Sequence, residues 1–370
     1  MDYGVDRYAY MRFAFMCKEK PASINTKIAI VGAGPAGLAA SGYLACQGYE
    51  IDVYDKLPLP GGLMLFAIPP WRIPRENVLT GVKELEERFG VKFYNKVKVY
   101  TGESTGEEGD MFVEKRIPLE ELVENYHAVL IASGTWASKI PKIPGIEAKN
   151  VLTALEYLLH FRLYELGLSS HPPLRGKRVI IIGGGYSAVD AAEQAVRAGA
   201  EVILAYRRTI REAPAGLFEM ERIKREGVHL LELVSPVEII VENGYSKGVK
   251  FQRMRLGPVD KTGRPQPIPV PGSEFVLDAD LIVFATGETP TPPFQPSEDI
   301  LKKLNIELSE DRTIVVNRIY QTKNPKVFAA GDIVNGPTRI GPAIKSGLYA
   351  ARFMHNWLQA VIVKTSPSPR

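Results

Sequence analysis

The chain has 370 residues, of which 45% are hydrophobic and 24% are charged, as is ordinary for globular proteins. This length allows two or more domains with their own cores. The formal net charge of +4 is too small to indicate nucleic-acid binding. Two cysteines argue against a secreted disulfide scaffold, and no apolar run is long enough to span a membrane. The first residues are acidic where a signal peptide would be basic, so we expect a cytoplasmic protein.

The first predicted strand, residues 28–31, leads into a turn of the form Gly-x-Gly-x-x-Gly. In such a turn the first glycine permits a tight bend and the second lets the backbone approach a pyrophosphate. The third lets the following helix pack closely, with its N-terminus towards the anion. The alanine-rich residues 38–46 have the composition of that helix. The pattern predicts dinucleotide binding by Gly32, Ala33, Gly34, Pro35, Ala36 and Gly37.

The second predicted strand, residues 50–54, is followed directly by the acidic residue Asp55 and then by Lys56. An acid about twenty residues beyond the glycines accepts hydrogen bonds from ribose hydroxyls. The first site is therefore predicted to prefer a nucleotide whose ribose carries no phosphate.

The next segments alternate between helix and strand patterns. Residues 77–89 read as an amphipathic helix, and residues 97–100 and 112–117 as a hairpin. We expect residues 102–109, rich in glycine and glutamate, to be a solvated insertion with no assigned role. An apolar strand from residue 129 ends at Gly134 and Thr135, and a predicted helix follows at residues 152–168.

A second strand, residues 179–182, leads into a second glycine-rich turn, whose last small residue is an alanine. This turn predicts another dinucleotide site at Gly183, Gly184, Gly185, Tyr186, Ser187 and Ala188. The next strand, residues 201–206, ends in Arg207 and Arg208 where the first site has its acid. Guanidinium groups suit a ribose 2′-phosphate by charge and by fork geometry, which favours NADP. The alternative is a solvated charge pair at a strand end.

The last third of the chain adds three features. Residues 237–241 and 248–256 predict a hairpin around the Asn243–Gly244 turn. An apolar strand from residue 281 ends at Thr286 and Gly287. Another from residue 327 ends at Gly331 and Asp332 and precedes a helical stretch, residues 343–358.

The order of these segments resembles the two-dinucleotide-binding flavoproteins, an α/β fold with two Rossmann-like domains. In that class the Ala-Gly-Asp aspartate, here Asp332, contacts the ribityl–phosphate region of FAD. Residues 56–63, 68–74 and 206–214 narrow the resemblance to the glutamate synthase small (beta) subunit and its relatives. The resemblance implies FAD at the first site and NADPH at the second, with Arg72 near the flavin. It also implies cofactor contacts by Lys56, Gly62, Leu63, Gly134, Thr135, Thr286, Gly287 and Gly331.

The resemblance also implies an interrupted domain order. The FAD-binding domain comprises residues 25–165 and 289–360, and the NADPH-binding domain, residues 166–288, is inserted. Residues 1–24 form an N-terminal extension and residues 361–370 a flexible tail. The relatives carry an N-terminal domain with two iron–sulfur clusters, which we expect this chain to lack. Cys17 and Cys46 are too few for a cluster and form no Cys-x-x-Cys dithiol, and Cys46 is expected to be a small core residue.

Hydride transfer between two cofactors needs no side-chain acid or base, and we predict no catalytic residue and no metal site. Three functions stay open. One is an NADPH-oxidising flavoprotein that passes electrons to a separate protein, such as a ferredoxin or a synthase large subunit. The second is a stand-alone diaphorase or oxidase acting on quinone, dye or oxygen, and the third is a cofactor-binding sensor or assembly protein. The oligomeric state is left open. The aromatic residues at the start of the chain either dock a partner or, as we slightly prefer, pack on the FAD domain: Tyr8, Tyr10, Phe13 and Phe15.

Overall fold

The computed structural model describes residues 10–103, 106–260 and 263–365, with only the backbone for residues 362–365. Tyr8 and the last five residues of the predicted tail lie outside the described part. The strands are β1 (Lys27–Val31), β2 (Glu50–Tyr54), β3 (Lys92–Tyr94), β4 (Val97–Val99), β5 (Lys115–Ile117), β6 (Ala128–Ile131), β7 (Ala137–Ser138), β8 (Val151–Thr153), β9 (Arg178–Ile182), β10 (Glu201–Tyr206), β11 (His229–Glu232), β12 (Val234–Glu242), β13 (Tyr245–Val259), β14 (Pro265–Pro269), β15 (Phe275–Asp278), β16 (Leu281–Phe284), β17 (Glu288–Thr289) and β18 (Val327–Ala329). The helices are α1 (Pro35–Ala45), α2 (Leu63–Phe66), α3 (Arg75–Glu87), α4 (Leu119–Asn125), α5 (Ala154–Glu165), α6 (Tyr186–Arg197), α7 (Leu217–Arg225), α8 (Glu298–Leu304), α9 (Asp332–Asn335) and α10 (Ile340–Thr365).

The chain divides into two compact units. Unit 2 runs from Ser138 to Glu288, and unit 1 comprises the described residues on either side of it. Unit 1 resumes at Thr289, and the second segment of the predicted FAD-binding domain begins at the same residue number. The departure at residue 138 comes earlier than the predicted boundary at 165, because β8 pairs with β16 in the sheet of unit 2 and α5 follows β8 directly.

Unit 1 is built on a five-stranded parallel sheet in the order β18-β6-β1-β2-β3. Successive side chains of a strand point to opposite faces, and β1 shows this clearly. Ile28 and Ile30 enter a core cluster with residues of α1, α3 and α10, whereas Ala29 and Val31 enter a second cluster with residues of α4 and α8. Both faces are therefore covered, as parallel sheets require.

The described residues before β1, 10–26, form a segment that packs on two helices. Phe13 is 5% exposed, and its carbonyl oxygen lies only 2.1 Å from where a Cβ on Gly42 of α1 would be. The backbone of Met11 comes equally close to Gly81 of α3 and donates a hydrogen bond to the Asn77 carbonyl. Glycine is therefore required on both helices. The sequence analysis slightly preferred that the aromatic residues of this segment pack on the FAD domain. Phe13 does pack on unit 1, whereas Phe15 is exposed.

A disulfide joins Cys17 in this segment to Cys46 at the end of α1. Cys46 was predicted to be a small core residue, and the prediction did not include this bond. Cys46 does border the core of unit 1, but its Cα lies 5.5 Å from that of Cys17, within the range a disulfide spans. The sequence placed the two residues far apart along the chain, and only the folding of the N-terminal segment onto α1 brings them together.

Unit 2 contains a second five-stranded parallel sheet in the order β11-β10-β9-β16-β8. An antiparallel sheet of β12, β13, β14 and β15 accompanies it. The hairpin of β12 and β13 confirms the predicted one. Its turn residues Asn243 and Gly244 have φ values of +53° and +80°, the left-handed conformations that an Asn-Gly hairpin turn uses.

Two predicted local features were wrong. Strands β4 and β5 pair in parallel, so residues 97–117 do not form a hairpin. The segment between them is long enough to cross over and start a second strand in the same direction. The predicted tail begins as a continuation of α10, which extends through Thr365. Among the described residues, none of the helices combines the length and apolarity needed to cross a lipid bilayer.

Candidate functional site: two dinucleotide-binding turns

The first glycine-rich turn connects β1 to α1 in the conformation that the motif requires. Gly32 has φ of +103°, and a Cβ there would lie 2.4 Å from the Ala132 carbonyl oxygen. A Cβ on Gly37 would lie 1.9 Å from the Gly32 oxygen, so the third glycine lets α1 approach the turn. Gly34 differs, because a Cβ there would meet nothing within 4 Å. The protein leaves open the place that a pyrophosphate would take, at the N-terminus of α1.

Asp55 braces this turn from the end of β2. Its carboxylate accepts hydrogen bonds from the backbone N–H groups of Ala33, at 2.6 Å, and Leu57, at 2.8 Å. The side chain is 8% exposed, and burial raises the pKa of Asp55 although the two N–H groups and nearby Lys56 oppose the shift. Ionised carboxylates have about four acceptor positions, so two bonds to the backbone leave capacity for a ribose hydroxyl.

Two distant segments converge on the same turn. Gly62 precedes α2 with φ of +54°, and a Cβ on it would lie 2.7 Å from Gly34 Cα; Leu63 begins α2. Gly331, with φ of +80°, approaches Ala36 of α1 so closely that a Cβ would lie 2.8 Å from the alanine Cβ. The predicted residues Gly62 and Gly331 therefore meet the first turn of α1, together with Pro35 at its N-terminal position.

Asp332 begins the short helix α9 beside this convergence. Its carboxylate accepts a hydrogen bond of 2.6 Å from the Thr338 hydroxyl. Burial raises the pKa of Asp332, and the bonds from Thr338 partly offset that effect. The preceding residue is fixed as well, because the Gly331 N–H donates to the Ser346 hydroxyl at 3.0 Å.

Gly134 and Thr135 follow β6, as predicted. Gly134 has φ of +73° and its carbonyl accepts from the Thr291 N–H at 3.1 Å, while Thr135 is buried. Arg72 lies half-buried in a turn between α2 and α3, where its N–H donates to the Pro69 carbonyl. The site role predicted for Arg72 stays a prediction.

Lys56 lies in the wall of a cavity in unit 1 together with Gly32 and Asp55. Its ammonium pairs with Glu107 at 2.7 Å and with Asp110 at 3.2 Å. The expectation of a solvated insertion was therefore wrong for residues 107–109, because Glu107 lines the same cavity. Sequence reasoning also missed Lys98 and Trp136 in this wall, for which no local motif exists.

The second glycine-rich turn connects β9 to α6 and repeats the first. A Cβ on Gly183 would lie 2.2 Å from the Ala285 oxygen, and one on Gly184 would enter the Tyr206 ring. Gly185, like Gly34, would meet nothing within 4 Å. Ala188 is fully buried, so a methyl group is accommodated at the third position.

The other predicted residues of unit 2 lie around this turn. Tyr186 is exposed at the first position of α6, and the hydroxyl of Ser187 donates to Glu288 at 2.9 Å. Thr286 and Gly287 follow β16, next to β9 in the sheet, and the Thr286 hydroxyl donates to the Lys139 carbonyl. Carboxyl ends of adjacent parallel strands thus frame the turn, where nucleotides bind in open α/β sheets.

The two arginines after β10 have different surroundings, which corrects the prediction that both face a phosphate. Arg207 is exposed. Arg208 is 2% exposed, and its guanidinium donates to the Pro265 carbonyl at 2.6 Å and to Asp260 at 2.8 Å. Adjacent residues at a strand end point to opposite sides, and here one side is covered by the antiparallel sheet.

The part of the chain that the structure describes contains no group of three or more His, Cys, Asp or Glu residues that could hold a metal ion. The chemistry available at both turns is nucleotide binding through backbone N–H groups, helix N-termini and a few polar side chains.

Comparison with known proteins supports this interpretation. Residues 26–347 match the family model for pyridine nucleotide-disulphide oxidoreductases. The glutamate synthase [NADPH] small chain of Escherichia coli is 34% identical over 90% of this chain and 69% of its own. The NADP(+)-dependent formate dehydrogenase subunit beta of Moorella thermoacetica is 35% identical over 90% of this chain and 44% of its own. The chain spans about half the length of several curated relatives that it matches.

Solved structures share the fold. FprA of Mycobacterium tuberculosis superposes with a TM-score of 0.71 at 19% identity, covering 93% of this chain and 87% of that one. The prediction of a two-dinucleotide-binding flavoprotein fold is confirmed, and FAD and NADPH, the predicted cofactors, are those of this group. The chain belongs to the pyridine nucleotide-disulphide oxidoreductase family and, within it, to the glutamate synthase small-chain group of NAD(P)H-dependent flavin oxidoreductases.

Proposed function

We propose that this protein transfers hydride from NADPH to FAD and passes the electrons to a separate acceptor protein, such as a ferredoxin or a synthase large-subunit-like partner. The observation that carries the proposal is the pair of strand–turn–helix sites in separate parallel sheets with opposite charge at the ribose position. Asp55 stands at the first and exposed Arg207 at the second. An acid suits a free ribose and a guanidinium suits a 2′-phosphate.

In unit 1, we assign FAD to the turn with Gly34 and Asp55. The N-terminus of α1 would hold the pyrophosphate, and Asp55 would accept from the adenosine ribose. Asp332, fixed by Thr338, would contact the ribityl–phosphate region. When bound, FAD and NADPH supply the hydride chemistry, and the side chains of the protein bind and orient them.

In unit 2, we assign the NADPH 2′-phosphate to Arg207 and Arg211, with Arg208 in a structural role. Arg211 is exposed in the one-turn helix Ile210–Glu212. Glu212 fixes the start of that turn by accepting from the Thr209 N–H at 3.0 Å and its hydroxyl at 2.6 Å. The proposed phosphate-binding pair is therefore Arg207 and Arg211, both exposed near the end of β10, and it takes the place of the pair Arg207 and Arg208 that the sequence indicated.

The separate acceptor is proposed from the relatives. The proteins from Moorella thermoacetica and Geobacter sulfurreducens are named as beta subunits of larger oxidoreductases, and the Escherichia coli protein as a small chain. Each name implies that another subunit works with it. The acceptor of this chain is proposed as a class only.

The test is anaerobic reduction of the purified protein. We expect one FAD per chain, bleaching of the flavin absorbance on addition of NADPH, and reoxidation of the flavin by an artificial acceptor or ferredoxin. In a separate measurement in air, we expect the protein to form little peroxide. Steady peroxide production would instead favour the stand-alone oxidase. Binding of both nucleotides without flavin bleaching would favour a sensor or assembly protein.

A further inference from the structure

Four charged side chains form a buried group in unit 1, and only one of them, Lys56, belongs to the residues that the family motifs pick out. Glu107 contacts the ammonium of Lys56 at 2.7 Å and that of Lys98 at 3.3 Å. Asp110 contacts the same two ammonium groups at 3.2 Å and 2.7 Å. None of the four side chains is more than 15% exposed. We call Lys56, Lys98, Glu107 and Asp110 the charge clasp.

The charge clasp adjoins the cavity of the first dinucleotide turn. Lys56, Lys98 and Glu107 line the cavity that also contains Gly32 and Asp55. Trp136 lines it too, with the Lys56 ammonium 5.0 Å from its ring centre. Lys56 directly follows Asp55 in the chain, so its position and that of the proposed ribose acceptor are coupled through one peptide.

Residues 107–110 are fitted to this wall rather than exposed on a loop. The Glu108 N–H donates to the Trp136 carbonyl at 3.0 Å. Gly109 has φ of +89°, and a Cβ on it would lie 2.9 Å from Leu57. The backbone therefore approaches Leu57 and Trp136 as closely as a glycine allows, which places the acids on either side of it against the lysines.

The two acids compensate the charge of the two buried lysines. Removing one partner of a buried ion pair leaves an uncompensated charge and is strongly unfavourable, so a lysine that loses its acid moves towards water. Burial alone would raise the pKa of Asp110, but Lys56 and Lys98 lower it below its usual range. Asp110 is thus ionised at neutral pH, and each acid contacts both lysines.

We propose that Glu107 and Asp110 are positioning residues for the adenosine end of FAD, acting by holding Lys56 and Lys98 in the cavity wall. The inference rests on the proposed assignment of FAD to unit 1. It gives a role to a segment that the sequence alone marks as an insertion, and it concerns cofactor retention rather than the hydride step.

The test is FAD binding to the apoprotein, followed by flavin fluorescence. We expect Glu107→Gln to weaken FAD binding about ten-fold and to speed FAD release, because Lys56 loses its shorter ion pair and keeps only the contact with Asp110. Glu107→Asp, which keeps the charge, should recover part of the loss. If Glu107→Gln does not fold, the Asp variant measured against wild type should still bind FAD more weakly. The matched control is Glu114→Gln, whose side chain is 71% exposed and pairs with Lys96 outside the cavity wall.

A double-mutant cycle separates positioning from general stability. In a Lys56→Met background, Glu107→Gln should cost less FAD affinity than it does in the wild type, since only its effect through Lys98 remains. Fully multiplicative effects, or a Glu107→Gln affinity equal to that of Glu114→Gln, would overturn the inference. A wild-type protein that binds no FAD would instead refute the proposed function, so the two failures are distinguishable.

Discussion

At the residue scale, neighbouring side chains with the same chemistry have different roles because the fold surrounds them differently. Arg207 and Arg208 follow the same strand, but only Arg207 is exposed, while Arg208 is enclosed by Asp260 and Pro265. Charge alone therefore does not identify the residues that bind a phosphate. Burial and existing partners decide which guanidinium groups are available for it.

The arginines give a specificity prediction. Arg207→Ala or Arg211→Ala should each raise the KM for NADPH about ten-fold, because a charged hydrogen bond to phosphate is lost, and leave NADH kinetics nearly unchanged. Arg208→Ala should lower the free energy of unfolding and change the preference for NADPH over NADH little. Steady-state kinetics with both nucleotides and urea unfolding measure these effects. Arg225, exposed on α7, is the control position. Loss of NADPH preference in Arg208→Ala alone would contradict the assignment.

The charge clasp gives a pH prediction. The pKa of Asp110 is lowered in the folded protein, so its pairs contribute stability in full above its unfolded value. That contribution is lost as pH falls through the lowered folded value, below about pH 4. The charged groups that face Asp110 are Lys56, Lys98 and Glu107. Urea unfolding of wild type and Asp110→Asn should therefore differ at neutral pH and converge in acid. A difference that stays constant down to pH 3 would contradict this.

At the scale of elements, the first dinucleotide turn lies inside a covalent loop. The Cys17–Cys46 disulfide closes a loop of 29 residues in sequence separation that contains β1, the glycine-rich turn and α1. Phe13 and Met11, which precede that loop in the chain, pack against Gly42 and Gly81. The cross-link thus restrains the unfolded state in the region that forms the proposed FAD turn.

The disulfide prediction concerns stability. Reductant should lower the free energy of unfolding by about 3 kcal/mol, the scale expected from closing a loop of this size. Cys46→Ala should be destabilised similarly and should no longer respond to reductant. Denaturant unfolding with and without reductant provides the measurement. A wild-type protein equally stable in both conditions would show that the disulfide is not a stabilising element.

At the scale of the whole molecule, each unit presents one nucleotide turn with the same design. Gly34 and Gly185 occupy equivalent positions, and a Cβ on either would meet no protein atom within 4 Å. Gly32, Gly37 and Gly183 are different, because a Cβ there would clash with backbone oxygens. We therefore expect the motif to contain some glycines that folding needs and others that ligand binding needs.

This distinction allows the two sites to be separated in the intact protein. Gly34→Ala should lose most FAD affinity and keep NADPH binding, and Gly185→Ala should do the reverse, because each methyl group would occupy the approach of a pyrophosphate. Both apoproteins should melt near the wild-type temperature, whereas Gly37→Ala should be strongly destabilised. Flavin fluorescence and calorimetric NADPH titration measure the two affinities. Loss of FAD from Gly185→Ala with FAD retained by Gly34→Ala would reverse the assignment of the units.

The sequence by itself determined the two nucleotide turns, the parallel sheets and the family. The glycine spacing and the flanking apolar strands are local patterns, and local backbone geometry follows from them. The Asn243–Gly244 hairpin was predictable for the same reason. The tertiary structure alone decided that Cys17 meets Cys46, that β4 and β5 run in parallel, that Arg208 is enclosed, and that Glu107 reaches Lys56. These contacts join residues far apart in the chain, and their formation depends on how segments pack rather than on any pattern within one segment.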